Sequence, residues 1–178
     1  MNRREVVAGS LAAGVVAGLP GAAFAQAKPL FDNLLMFVPA APGGGWDGTA
    51  RAIEAAAKGA GLVGQFQFEN VGGAGGMVGL PRFVNQRKGM GNALMVGGSV
   101  MVGAGVTNKS PVTMKNVVPI ARLTEEAGVV AVPTNGKIQT WKDFEAAIKA
   151  NPKAVSVAGG SAGGTDHQLL GLIIKALG

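Results

Sequence analysis

Three glycine clusters, at 43–45, 72–76 and 159–164, each follow a short apolar or alternating run and each precede a stretch with helical spacing. A chain punctuated this way is read as strand, loop, helix, repeated, which is the pattern of a parallel α/β architecture with ligands at the carboxyl ends of the strands. The apolar run Leu34 to Val38 is fit for a buried strand, and Pro39 to Gly45 breaks it before a helix from Asp47 to about Lys58. Phe66 and Phe68 alternate with Gln in a second strand that stops at Asn70. A second helix follows near Met77 to Gln86, with Pro81 tolerable only close to its first turn. Ala93 to Val96 reads as a third strand ending at Gly97-Gly98-Ser99, with a loop through Asn108 to Pro111 beyond it. After the apolar segment Val117 to Leu123, Gly128 to Val132 reads as a strand. Thr140 and Asp143 then form a capping-box-like start for a helix carrying Trp141, Phe144 and Ile148. Val155 to Ala158 is the last expected strand. Thr165 is the expected N-cap of a final helix whose Leu169, Leu170, Ile173, Ile174 and Leu177 form a wide apolar stripe. A stripe that broad with no later strand to cover it leads to the expectation that the chain is truncated at its C-terminus.

Residues 1–25 obey a different rule. Arg3-Arg4, an apolar stretch from Val6 to Leu19 and Ala23-Phe24-Ala25 read as a bacterial export signal cleaved before Gln26, with the arginine pair pointing toward the twin-arginine route. The apolar stretch is too short for a permanent membrane anchor. The remaining chain holds 14 basic and 9 acidic residues, a net charge of +5. These charges are scattered, and no basic stretch is interleaved with aromatics, so nucleic acid is not an expected partner, whereas an anionic small molecule is favoured by the long-range field. The chain has no cysteine, which excludes disulfides, thiolate metal sites and a cysteine nucleophile.

Two motifs invite enzymatic readings. Gly43 to Gly48 satisfies G-x-G-x-x-G, with Glu69 at about the spacing of a ribose-binding acid, which would suit a dinucleotide-binding oxidoreductase. The glycines, however, stand four residues beyond the strand end, where the fingerprint wants them at the strand end itself. Gly159-Gly-Ser161-Ala-Gly163 satisfies the nucleophile-elbow pattern G-x-S-x-G of an exported α/β-hydrolase. The only later acid and histidine are the adjacent Asp166 and His167, too near the serine to complete a triad. His167 is the only histidine, so a multi-histidine metal site is excluded, and no cofactor is expected.

Asp47 and Asp166 each sit in the first turn of a helix that follows a glycine-rich loop, one in each half of the chain. Backbone N–H groups at a helix start are unpaired and carry partial positive charge, and glycine lets a ligand approach them, so two such starts facing one another suit a carboxylate.

Phe37-Val-Pro-Ala-Ala-Pro-Gly-Gly-Gly-Trp-Asp47, Asn70-Val-Gly-Gly-Ala-Gly-Gly76, Asn108-Lys-Ser-Pro111 with Pro119-Ile-Ala-Arg-Leu123, and Gly159-Gly-Ser-Ala-Gly-Gly-Thr-Asp-His167 together resemble the substrate-binding receptors of tripartite tricarboxylate transporters, the Bug-type periplasmic receptors. The likeness spans the chain after residue 25 in order and is closest to citrate-type members. It implies a two-lobed type II periplasmic-binding-protein fold, truncated here, with residues 26–122 in the first lobe and 123–178 in the second. It further implies a di- or tricarboxylate ligand held between the lobes and delivered to a large and a small membrane subunit, with no catalysis. On this resemblance Pro42, Gly43, Gly44 and Asp47 form one half of the site. Ser161, Gly163, Thr165, Asp166 and His167 form the other half, and Gly75 and Ser99 are further candidates.

Overall fold

The computed structural model of the chain describes residues 28–178, so the expected export signal lies outside the described residues. At its centre is a parallel three-stranded sheet in which β1 (Phe31–Val38) lies between β2 (Val63–Asn70) and β3 (Ala93–Met95). Where β3 also flanks it, the second half of β1 is covered on both edges and reads as an apolar run, with Leu34, Met36, Phe37 and Val38 all buried, while Asp32 and Asn33 at its start stay exposed. Register pairs Met36 with Phe68 on one side and Leu94 on the other. Helix α1 (Gly45–Gly59) links β1 to β2 and lays Ala50 and Ile53 against Met36 and Val38. Helix α2 (Gly79–Arg87) follows a short 3-10 turn at Ala74–Gly76 and places Pro81 in its first turn, where a missing N–H costs no intrahelical bond.

Helix α3 (Ser99–Thr107) fills the stretch between the third strand and the Asn108–Pro111 loop, where the sequence pattern predicts no helix. Its sequence, rich in Gly and Val, has poor helix propensity. It forms because burial of Met101 and Ala104 against Met77 and Leu80 outweighs that preference. Trp46, at the start of α1, packs against both this cluster and the sheet-side cluster, so it joins the two.

The rest of the chain departs from the sequence expectation. Neither Gly128–Val132 nor Val155–Ala158 is a strand. A strand is stable only with its ladder bonds made, and these short runs have no neighbour to pair with among the described residues. The segment through 117–133 is instead largely exposed, with Val118 at 85% and Val129 at 83%. Helix α4 (Trp141–Ala150) does form as expected. Thr140 Oγ1 accepts the Asp143 N–H at 3.2 Å, and Asp143 Oδ2 accepts the Thr140 N–H at 2.9 Å, a reciprocal cap. Helix α5 (Thr165–Leu177) begins on Gly164, so Thr165 is its first helical residue and not its N-cap. None of its residues is fully buried; Leu169, Leu170 and Ile173 are only half-covered. Among the described residues the class is α/β, with one small parallel sheet and five α-helices.

Candidate ligand-binding site

The loop entering α1 is shaped by one side chain. Asp47 is the third residue of α1 and is only 7% exposed. Its Oδ2 accepts the Gly43 N–H at 3.0 Å and its Oδ1 accepts the Asn70 amide at 2.9 Å, while Arg51 lies 3.6 Å from Oδ1. The Gly43 N–H above all, then the Asn70 amide, hold this carboxyl below the ordinary aspartate range; burial opposes them, and Arg51 adds smaller lowering effects. Asn70 also donates to the Ala40 carbonyl at 3.3 Å, so the end of β2 fixes the loop after β1. Arg51 in turn lies over the Phe68 ring, 3.5 Å from its centroid.

The loop entering α5 repeats this arrangement 120 residues later. Gly43 and Gly163 both have left-handed backbone, φ +81° and +77°. Gly44 and Gly164 are the N-caps, with φ −74° and −75°. Their N–H groups donate to the carbonyls of Ala41 and Ser161, at 3.2 and 2.8 Å. His167 occupies the place of Asp47, third in its helix, and its Nδ1 accepts the Gly163 N–H at 3.0 Å. Asp166 Oδ2 accepts the Gly160 N–H at 2.7 Å. Each glycine-rich loop is thus held by a side chain reaching back from the first turn of its own helix.

Glycines let the junctions close on one another. A Cβ at Gly75 would lie 2.6 Å from that of Ala104 and 3.6 Å from that of Ser161, and the Trp46 ring lies against Gly76 and Gly98. Helices α1, α3 and α5 all start on a glycine, with no side chain capping their first N–H groups. Their first-turn residues Gly45, Trp46, Ser99, Thr165, Asp166 and His167 line one open cleft of about 2410 Å³, which the 117–133 segment also lines.

Of the expected site residues, Ser99, Thr165, Asp166 and His167 therefore face the cleft. Pro42, Gly43, Gly44 and Asp47 do not line it and instead shape the first loop, and Gly75, Ser161 and Gly163 form the junction between loops. Trp46, Gly97 and Gly98 are cleft residues that the sequence reading did not single out, although Trp46 stands inside the first motif. The enzymatic readings meet obstacles here. Glu69 carries Arg82 and Arg87 at 3.0 and 2.6 Å, so it is not free to take a ribose. His167 Nδ1 and Asp166 Oδ2 are engaged by loop amides rather than by Ser161. Among the described residues no group of three or more histidines and acids is placed to hold a metal, and no helix is long and apolar enough to cross a membrane. Compared with protein-family models, curated proteins and solved structures, the chain matches none.

Proposed function

We propose that this chain is an exported, periplasmic solute-binding receptor that captures a small di- or tricarboxylate, of the citrate kind, for a tripartite tricarboxylate transporter. In this reading residues 26–122 and 123–178 belong to the two lobes of a type II binding fold, and the ligand passes unchanged to the large and small membrane subunits. One observation carries the proposal: three helix starts without side-chain caps line the same cleft, two of them on loops of matching conformation. Each helix end favours an anion by about 0.3–1 kcal/mol when exposed and up to about 2 when partly buried. Together with charge-assisted hydrogen bonds, that supplies a good share of the roughly 8 kcal/mol that micromolar binding requires. The basic net charge draws anions toward the same surface.

Calorimetry with citrate beside an ester-hydrolysis assay tests the reading. Citrate should bind and be recovered intact. Thr165→Pro is the informative variant, because the first helical position accepts proline and Gly164 already has the extended backbone that a residue before proline needs. It removes one N–H from the cleft and leaves the helix standing, so affinity should fall about tenfold or more, the scale of one hydrogen bond to a charged group. Ser161→Ala should leave affinity within about twofold, since Ser161 does not line the cleft. Serine-dependent ester turnover without citrate binding would overturn the receptor in favour of the hydrolase.

A further inference from the structure

The two matching loops differ in what their holding side chain has left to give. At the first loop both oxygens of Asp47 are occupied, one by Gly43 and the other by Asn70 and Arg51. At the second loop the Gly163 N–H occupies only Nδ1 of His167. An amide N–H can donate only to a ring nitrogen without a proton, so in the neutral imidazole the proton must sit on Nε2. That nitrogen has no protein partner among the described residues, and His167 borders both the cleft and a smaller hollow against α3. The nearest acid in the chain, Asp166, is turned toward the Gly160 N–H.

We infer that His167 is a side-chain hydrogen-bond donor to the ligand, fixed as the Nε2–H tautomer by the Gly163 amide and directed at an oxygen of the bound carboxylate. The inference rests on the receptor reading and adds a specificity-determining residue to it. Asp47 is the structural precedent that separates the two roles of His167, because an aspartate in the same helical position holds the same loop and offers no N–H. His167→Asp therefore keeps the hold on Gly163, removes the donor and adds negative charge. His167→Asn keeps an acceptor for Gly163 and adds no charge, but its N–H ends roughly 1 Å nearer the backbone than Nε2.

The test is citrate calorimetry on the full chain and on these two variants, with thermal melting of each, and nitrogen-15 spectra of the sole histidine in the wild type. The expected result is a protonated Nε2 with an unprotonated Nδ1, melting temperatures close to wild type for both variants, a loss of affinity of about fivefold or more for His167→Asn, and a larger one, beyond about tenfold, for His167→Asp. Wild-type affinity in His167→Asn, or a proton on Nδ1, with citrate still bound by the wild type, would overturn the donor role alone. A variant that melts far below wild type is to be read against the tautomer, which by itself decides whether Gly163 holds the ring as inferred. A wild type that does not bind citrate would overturn the receptor reading and the donor role with it, whatever tautomer the spectra show.

Discussion

The loops that open α1 and α5 have nearly the same backbone and opposite surroundings. The first rises from β1, which is buried between two paired strands, and contacts from Asn70 at the end of β2 and from Arg51 in α1 support it. The second rises from Val155–Ala158, which pairs with nothing among the described residues, and leads into a helix with no fully buried residue. That both loops nevertheless adopt one conformation shows that the device is encoded locally: a glycine able to take positive φ, a glycine N-cap and an acceptor side chain two residues into the helix beyond its first. The strand ahead of it is not local. It depends on neighbours far away in sequence.

The contrast in support is the easiest part to break. Phe37 is fully buried in β1, so Phe37→Ala should cost about 3–5 kcal/mol by urea denaturation. Ile173 on α5 is half-exposed, and Ile173→Ala should cost about 1 kcal/mol or less, because little apolar area leaves water there. Equal costs would mean that the second loop stands on a packed core as firm as the first.

Matched glycines sharpen the comparison next. Gly43→Ala meets open space, so it bears only the cost of left-handed backbone for an L-residue, about 1–2 kcal/mol. Gly163→Ala bears the same conformational cost, and its new methyl would also run into Thr107 of α3. The second substitution should therefore destabilise more than the first, and by more than about 1 kcal/mol if Thr107 cannot move aside. Equal effects would show that α3 yields easily to the second loop.

These differences explain what could be read in the sequence and what could not. The strands β1 to β3 and the helices α1, α2 and α4 were legible because period, glycine punctuation and the Thr140 cap all agree locally. Val129 and Val157 belong to runs that look like strands, but their exposure is decided by whether a partner strand stands beside them. Helix α3 was hidden for the opposite reason: its valines and glycines argue against a helix, and only the packing of Met101 and Ala104 overrules them. In the site, the residue types were legible and their directions were not. Asp47 and His167 both stand where a ligand contact is expected, yet hydrogen bonds turn the first wholly into its loop. Trp46 was legible as part of a motif, while its place over Gly76 and Gly98 required the fold.

The smallest expected effect concerns the charge of Asp47 and disappears with acid. Asp47→Asn keeps the size of the side chain but leaves one of the two donors, the Gly43 N–H or the Asn70 amide, facing an NH2 group instead of an oxygen. At neutral pH the variant should therefore melt below wild type. Because the folded carboxyl is held below its ordinary value of 3.8, the ionised form contributes stability that is fully present above that value and is lost as pH falls through the lower folded pKa. Melting curves of the two proteins should accordingly run apart and parallel at neutral pH and converge only below about pH 4. The second loop has no carboxylate in the equivalent place, so His167→Asn should show no such convergence in that acid range. A gap for Asp47→Asn that stays constant down to the lowest pH would mean that its charge does not hold the first loop, and that the two loops are held by shape and hydrogen-bond number alone.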